Sequence, residues 1–254
     1  MSVILETKDL TVRFGGHVAV DGVSCQFRTG EITAIVGPNG AGKTTYFNLI
    51  SGQIKATSGQ VRLRGRSLGR LSPSARAKRG VGRAFQLTNL FPNLSVLENV
   101  RLVLQAREGR GFRMLRSAEG DWELLDEAER LLQRVQMLSY TNVPVLALSH
   151  GDQRKLEVAM LIAMEPSVYM FDEPTAGMAS REAPMVLDLL AELKTRASDQ
   201  TILLVEHKMD VIQKLADRIV VLHNGALVAD GPPDEVMASD IVQEAYMGKS
   251  LADV

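Results

Sequence analysis

A glycine-rich loop constrains the fold of this chain more than any other feature of its sequence. Residues 37–44 read Gly-Pro-Asn-Gly-Ala-Gly-Lys-Thr, which fits the phosphate-binding pattern G-x-x-x-x-G-K-[ST] at every position. The apolar run 31–36 predicts a buried strand before the loop, and residues 44–50 predict the start of a helix after it. A strand, a loop of this kind and a helix in that order predict an α/β fold that binds phosphate.

The residues of this loop share the task of holding phosphate oxygens. Its glycines allow the backbone to curl so that successive N–H groups form an anion nest, and the helix N-terminus adds partial positive charge. Lys43 is expected to reach the β- and γ-phosphates and to assist catalysis there, and the Thr44 hydroxyl is expected to ligate Mg²⁺. The predicted nucleotide-binding residues of this segment are Gly37, Pro38, Asn39, Gly40, Ala41, Gly42, Lys43, Thr44 and Thr45.

Two adjacent carboxylates, Asp172 and Glu173, follow the predicted strand 167–171. Because a ligand in an open parallel sheet lies at the carboxyl ends of the strands, both acids are expected to face the phosphate loop. Asp172 is predicted to hold Mg²⁺, and Glu173 is predicted to polarise a water for in-line attack on the γ-phosphate. As adjacent strand residues they would point to opposite faces, which suits two different tasks. The alternative is that they cap a strand at the surface.

Two further polar residues come at the ends of predicted strands. His207 follows the strand 201–205, where a neutral imidazole would hydrogen-bond the γ-phosphate and hold the attacking water. Gln86 closes the strand 81–85 and offers an amide oxygen to Mg²⁺ or to water. For a lone histidine, a purely structural role is the alternative.

Composition places the chain among cytosolic α/β proteins. A formal net charge of −1 over 254 residues gives no general attraction to nucleic acid or to anionic membrane. A single cysteine, Cys25, excludes an intrachain disulfide and fits a reducing compartment. The first residues do not form a secretion signal, and no apolar run approaches the ~18 residues of a membrane span. The sequence therefore predicts a cytoplasmic protein that would reach a membrane only through a partner.

Charge is distributed unevenly along the chain. No Asp or Glu occurs between Glu31 and Glu98, a stretch that contains ten Lys and Arg residues. A solvated basic face and an attraction for polyphosphate or for an acidic partner surface both explain such a stretch. Nucleic acid is a weaker explanation, because no aromatic residues alternate with the basic ones as stacking platforms.

The order of predicted elements divides the chain into regions. Residues 3–28 alternate apolar and polar around two glycines, which predicts a pair of antiparallel strands. The middle of the chain, about 87–150, reads as helical, with helices at about 93–105 and 121–138 and a capping box that begins at Ser95. After this region helices alternate with strands, which predicts a largely parallel sheet.

Residues 148–156 read Leu-Ser-His-Gly-Asp-Gln-Arg-Lys-Leu and resemble the signature motif of ABC ATPases, in which a Ser-x-Gly-x-Gln core opens a helix. The family's other motifs occur in its order at Phe14, 37–44, Gln86, Asp172 with Glu173, and His207. The resemblance covers about residues 3–247 and implies a single ABC ATPase domain over residues 1–254. It implies an α/β fold: a RecA-like P-loop core with a mostly parallel sheet, an antiparallel β subdomain, and a helical subdomain at about 87–160.

The resemblance also implies how the nucleotide site is completed. Phe14 would stack on adenine, and Ser149, Gly151 and Gln153 would bind the ATP held by a second chain in a head-to-tail dimer. The helix start at Ser149 suits an anion, because its hydroxyl and N–H groups are donors. The sequence contains no second phosphate loop, so a site that uses both motifs needs two chains. A plain N-cap role for Ser149 is compatible with this reading.

One departure from the common family pattern points to a subgroup. Residues 176–179 read Ala-Gly-Met-Ala where many members have Ser-Ala-Leu-Asp, so an Asp-based coupling between the two sites is not expected. Together with the Ser-His-Gly-Asp-Gln signature, this variant resembles the ATPases of branched-chain amino-acid importers and of their urea and amide relatives. Segments 85–100 and 244–248 resemble those proteins as well.

The same subgroup suggests where a partner would bind. In these ATPases the region after the glutamine and the helical lobe receive the coupling helix of the membrane subunit. Leu87, Leu90 and Phe91 are expected to be exposed for such a contact. Burial of the three side chains within the helical lobe is the alternative.

The resulting hypothesis is an ATPase that uses ATP and Mg²⁺ to power import of branched-chain or other amino acids. Its implied partners are integral membrane permease subunits, a second ATPase chain (identical or paralogous) and, indirectly, an external solute-binding protein; nucleic acid is not among them. The chain would then lie in the cytoplasm on the inner face of the plasma membrane. A urea or amide importer, an envelope-lipid exporter, and an ABC ATPase acting on ribosomes or DNA are the alternatives.

Overall fold

Apolar runs of the sequence form the strands of two sheets in the computed structural model, which describes residues 1–84, 90–109, 121–178, 183–196, 199–239 and 242. The strands are β1 Val3–Phe14, β2 His17–Arg28, β3 Ile32–Val36, β4 Ser58–Leu63, β5 Arg66–Ser67, β6 Val81–Ala84, β7 Val168–Asp172, β8 Thr201–Val205, β9 Arg218–His223 and β10 Ala226–Gly231. The helices are α1 Lys43–Ser51, α2 Pro73–Ala77, α3 Val96–Arg107, α4 Asp121–Arg134, α5 His150–Ala163, α6 Ala183–Arg196, α7 Met209–Leu215 and α8 Pro233–Met237.

The larger sheet has six strands in the order β10-β9-β3-β8-β7-β6. Strand β3 pairs in parallel with β8 and with β9, and β8 pairs in parallel with β7. Every residue of β3, β7 and β8 is buried, as expected of the continuous apolar runs of a sheet covered on both faces. The predicted largely parallel sheet is confirmed. Because these three strands run the same way, their carboxyl ends lie at one edge, where polar residues follow each of them.

The smaller sheet is antiparallel and has four strands in the order β2-β1-β4-β5. Strand β1 pairs with both β2 and β4, which confirms the antiparallel pair predicted over residues 3–28. Leu10 of β1 and Phe27 of β2 are buried in one apolar core with Phe47 of α1 and Val205 of β8. Helix α1, which follows the phosphate loop, is therefore anchored in a core that draws on both sheets.

The predicted N-cap at Ser95 is confirmed, while the Glu98 carboxylate of the predicted capping box accepts from Arg101. The Ser95 side chain accepts a hydrogen bond from the backbone N–H of Glu98 at 3.2 Å, and α3 begins one residue after the cap, at Val96. The helix therefore begins three residues later than residue 93, where the sequence placed its start. Within the described segments, no helix has both the length and the apolar character needed to cross a membrane.

The chain divides into two compact units. The first comprises Met1–Arg83, Ser167–Glu173 and Ala191–Val254, and the second comprises Ala84–Pro166 and Pro174–Leu190. The sequence placed a helical subdomain at about 87–160. The second unit begins close to that point, and it also includes 174–190, a segment whose strand–helix pattern had suggested the α/β core.

Candidate active site

The phosphate loop joins the end of β3 to the start of α1. Gly42 is the N-cap of α1 with a left-handed φ of 97°, and no side chain caps this helix. The first N–H groups of the helix are therefore available to an anion. A Cβ atom at Gly37 would lie 2.1 Å from the carbonyl oxygen of Leu222, and one at Gly42 would lie 2.5 Å from that of Ala19. Only glycine fits at these two positions.

Lys43 is folded back onto the loop that precedes it. The side chain is buried, and its Nζ donates to the carbonyl oxygens of Gly37 at 2.7 Å and Pro38 at 2.9 Å. Burial lowers the pKa of Lys43, and the nearby carboxylates of Glu173 and Asp172 offset part of this effect. The structure thus holds the predicted phosphate-binding cation close to both predicted acids.

A hairpin turn supports the loop from the side. The Ala41 N–H donates to the Pro38 carbonyl at 3.1 Å, and the Gly225 N–H donates to the Ala41 carbonyl at 3.1 Å. Gly225 belongs to the turn between β9 and β10, and its own carbonyl accepts from Asp21 at 2.8 Å. The other predicted loop residues are open to solvent or half-buried, with Asn39, Gly40 and Thr44 exposed and Thr45 half-buried.

Phe14 lies at the end of β1 with half of its surface exposed. An exposed aromatic ring suits stacking on a planar ligand. Its predicted contact with adenine stays a prediction.

Asp172 is the last residue of β7 and is only 1% exposed. Its Oδ2 accepts a hydrogen bond from the guanidinium of Arg83 at 2.8 Å, in an ion pair with both side chains buried. No group of three or more His, Cys, Asp or Glu side chains able to hold a metal occurs within the parts of the chain that the structure describes. A hydroxyl at Thr44 and a carboxylate at Asp172 are nonetheless hard oxygen donors, and Mg²⁺ in phosphate sites takes one or two protein ligands besides water and phosphate. The donor set therefore fits Mg²⁺ bound together with nucleotide.

Glu173 is the first residue after β7 and does not belong to the strand. Its φ is +51°, a left-handed conformation that is uncommon for a residue with a side chain and costs about 1–3 kcal/mol. The Glu173 N–H donates to the carbonyl of Val205 at 2.9 Å, which fixes this turn to the end of β8. The expectation that Asp172 and Glu173 are consecutive strand residues on opposite faces is therefore wrong, because the chain turns sharply between them.

This turn brings Glu173 to His207, which lies two residues after the end of β8. The Nε2 atom of His207 and the Oε1 atom of Glu173 are 2.8 Å apart, and both side chains are partly exposed. A carboxylate held by a second polar group and open to solvent can accept a proton from a bound water. The structure thus brings together the two residues that the sequence proposed for handling the attacking water.

The signature segment belongs to the second unit, where Ser149 is the N-cap of α5. Its Oγ accepts from the Asp152 N–H at 3.1 Å and donates to Asp152 Oδ2 at 2.7 Å. Gln153 is half-buried and donates from Nε2 to the Leu148 carbonyl at 3.3 Å, and Gly151 is buried. Burial opposes the ionisation of Asp152, but hydrogen bonds from Ser149 and Lys155 hold its pKa below the ordinary value. The helix cap is observed, and the contact with nucleotide stays a prediction.

Several predicted residues lie outside the described part of the chain. They are Gln86, Leu87, Ala179 and the segment 244–248.

One residue of the site was not singled out from the sequence. Arg83 contacts Asp172 and two polar residues of α1, Asn48 and Ser51. The signal was an arginine inside the short strand β6, whose residues are all buried. A buried guanidinium requires a carboxylate or carbonyl partner, but the sequence does not say which one.

Comparisons with known proteins agree with one another. A family model described as ABC transporter matches residues 20–176. The chain is 38% identical over 252 residues to the high-affinity branched-chain amino acid transport ATP-binding protein LivG of Salmonella typhimurium strain LT2, which covers 97% of the chain and 98% of that relative. A crystal structure of a nucleotide-free ATP-binding cassette from an ABC transporter superposes with a TM-score of 0.81 at 26% identity, over 98% of this chain and 100% of the other. A dimeric cassette in a post-hydrolysis state, bound to ADP and Pi, gives a TM-score of 0.78 at 26% identity, over 91% of this chain and 99% of the other.

Proposed function

Because this chain belongs to the ABC transporter family, we propose that it is the ATP-hydrolysing subunit of an importer for branched-chain amino acids. The predicted family and the α/β cassette fold are both confirmed. The choice of solute is supported by near full-length similarity to LivG. The chemistry is supported by one observation above all, the 2.8 Å contact between Glu173 and His207 beside the buried Asp172.

The predicted phosphate-, metal- and water-binding residues of the first unit each have a task in ATP hydrolysis. The N–H groups of the loop and the Lys43 ammonium bind the β- and γ-phosphates of ATP. Thr44 and Asp172 hold Mg²⁺, which when bound neutralises charge on the phosphate oxygens. Glu173 accepts the proton of the attacking water, and His207 keeps the carboxylate and the water oriented towards the γ-phosphate.

A second ATPase chain would complete the site. The sequence carries one phosphate loop and one signature helix, and the N-terminal donors of α5 suit the phosphates of a nucleotide held by another chain. The dimeric cassette bound to ADP and Pi is a precedent among similar proteins. We propose that ATP binding closes such a dimer and that hydrolysis reopens it, with an identical or a paralogous partner.

An apolar patch in the second unit supports a membrane partner. Phe91 is 52% exposed and Leu146 is 73% exposed, and backbone hydrogen bonds from Leu146 to Pro92 and from Val145 to Leu94 hold the two segments side by side. Exposed apolar side chains held on a fixed backbone favour a protein contact. We propose that this patch receives a permease subunit. Leu90, expected to be exposed with Phe91, is only 8% exposed, and that expectation is wrong because its side chain packs inward.

The test of this function is purification of tagged Glu173→Gln protein from solubilised membranes in the presence of ATP and Mg²⁺. Loss of the general base should trap the ATP-bound dimer on its partners. Mass spectrometry should then identify two integral membrane subunits, with or without a second ATPase. Lys43→Ala, treated in the same way, is the control with weakened nucleotide binding and should retain fewer of these partners. Ribosomal or DNA-bound partners without a membrane protein would refute the importer.

The solute is tested with the assembled complex. Uptake of labelled leucine, isoleucine and valine by membrane vesicles that contain the purified partners should depend on ATP. Urea, short amides and lipid analogues are the comparison substrates. Transport of one of these in place of the amino acids would keep the ATPase assignment and overturn the proposed solute.

A further inference from the structure

Arg83 sits at the centre of a cluster of buried and half-buried side chains in the first unit. Its guanidinium donates to Asp172 Oδ2 at 2.8 Å, to Asn48 Oδ1 at 2.6 Å and to Ser51 Oγ at 3.2 Å. The guanidinium carbon lies 5.5 Å from the ring centroid of Phe47, within the range of a cation–π contact. The side chain therefore links the end of β7 to α1 through polar and aromatic contacts.

The residues of α1 that Arg83 contacts share one face with Thr44. Asn48 lies four residues after Thr44 and Ser51 seven residues after it, and positions i, i+4 and i+7 of an α-helix lie on one side. Arg83 thus ties the face of α1 that begins with one predicted Mg²⁺ donor to the carboxylate that is the other.

We propose that Arg83 is a positioning residue for magnesium-dependent nucleotide binding, which fixes the Asp172 carboxylate relative to α1. The inference rests on the proposed function, because it takes Thr44 and Asp172 as the metal donors. A buried carboxylate needs a positive partner, and the planar guanidinium provides both the charge and a fixed direction for its hydrogen bonds. Partners that orient metal ligands in this way typically change metal affinity by about 10- to 100-fold when they are removed.

A second buried arginine, Arg76 of α2, also contacts α1 and provides a matched control. Arg76 donates to the carbonyl oxygens of Leu49 and Ile50 at 2.7 Å each and to that of Gly69 at 3.3 Å. The Leu49 and Ile50 carbonyls lie at the C-terminal end of α1, where a cation satisfies groups that the helix leaves unpaired. Arg76 therefore stabilises α1 without contact to the predicted metal donors, whereas Arg83 contacts one of them directly.

The experiment measures how much Mg²⁺ is needed for binding of a fluorescent ATP analogue to the full-length chain. Arg83→Met should raise the Mg²⁺ concentration at half-maximal binding about tenfold or more. Its affinity for the analogue in excess EDTA should stay within about twofold of the wild-type value. Arg83→Lys should recover part of the shift, since it restores the charge but not the fork of donors. Arg76→Met should lower the melting temperature and leave the Mg²⁺ midpoint unchanged.

The possible outcomes separate this inference from the function on which it rests. A wild-type chain that binds no nucleotide would overturn both. Normal Mg²⁺-dependent binding by the wild type, with an unshifted midpoint in Arg83→Met, would overturn the role of Arg83 alone. If Arg83→Met does not fold, Asn48→Ala removes one anchor of the guanidinium on α1 and should shift the midpoint about threefold; no shift there or in Arg83→Lys would refute the inference.

Discussion

The two units of this chain carry polar sites that are built in different ways. In the first unit, Asp172 meets Arg83 across 89 positions of sequence, and Glu173 meets His207 across 34. In the second unit, the Ser149 hydroxyl accepts from the N–H of Asp152 and donates to its carboxylate, and the two residues are only three positions apart at the start of α5. The first site exists only when the whole sheet is folded, while the second needs one helix turn. Changes in the first unit should therefore alter nucleotide binding and turnover by the chain itself, and changes at the second should act through a partner chain.

The largest effect should come from Glu173→Gln in the first unit. Loss of a general base should lower steady-state phosphate release by about a hundredfold or more, because an amide cannot accept the proton of the attacking water. Nucleotide affinity should remain within about threefold of the wild-type value, since the loop and Lys43 are untouched. His207→Ala should show the same pattern with a smaller loss. Undiminished phosphate release by Glu173→Gln would remove Glu173 from the mechanism.

Lys43→Ala should show that nucleotide binding by the isolated chain depends on the first unit and not on the second. A charge-assisted hydrogen bond contributes about 1.5–3 kcal/mol, so nucleotide affinity measured on the isolated chain should fall about 10- to 100-fold. The comparison variant is Ser149→Ala, which should leave this affinity unchanged. Equal losses in the two variants would contradict the division of tasks between the units.

Ser149→Ala should reveal the role of the second unit in assembly. Loss of the cap should cost about 1 kcal/mol of unfolding free energy. ATP-dependent dimerisation in the Glu173→Gln background, measured by analytical ultracentrifugation, should weaken about tenfold, because one donor to the partner's nucleotide is lost.

Ser95→Ala is the matched control for this variant, because Ser95 caps α3 in the same unit with a similar hydrogen bond of 3.2 Å. It should lose a similar amount of stability and dimerise normally. Equal loss of dimerisation in both variants would mean that Ser149 acts only as a helix cap.

The smallest effect concerns Cys25, which reports on the core of the first unit. Burial raises the pKa of its thiol to about 12, so at pH 8 about one thiol in ten thousand is ionised. Alkylation by iodoacetamide should be very slow in the folded chain, rise about tenfold per pH unit, and become complete after denaturation. Ser149→Ala should not change this rate, and faster labelling in that variant would show that the two units do not fold independently.

The elements that could be predicted from the sequence are those decided by neighbouring residues. The strand 201–205 was predicted to its last residue, because five apolar or β-branched residues stand between polar segments. The helix predicted at 121–138 ends at Arg134 in the structure. There, Gln136 takes a left-handed φ of 56° and the Met137 N–H bonds back to Leu132, which ends the helix although the apolar spacing continues.

The same distinction between local and long-range determinants applies to the candidate site. The phosphate loop could be recognised because its glycines and Lys43 are consecutive in sequence, and the acids because they follow an apolar run. The left-handed turn at Glu173 could not be predicted, since it depends on a hydrogen bond to Val205 in another strand. The same holds for Arg83, whose basic charge was visible but whose partner is fixed only by the order of strands in the sheet.

The turn between β9 and β10 limits how this protein can be engineered. Gly225 donates to Ala41 in the phosphate loop and accepts from Asp21 of the antiparallel sheet, so its backbone is shared by three segments far apart in sequence. A hairpin of two short strands would ordinarily be a convenient place for a tag or a grafted epitope. Here an insertion of even one residue would displace the Gly225 carbonyl and N–H, and the N–H supports the phosphate loop. The first measurable consequence would be weaker ATP binding by an otherwise folded chain.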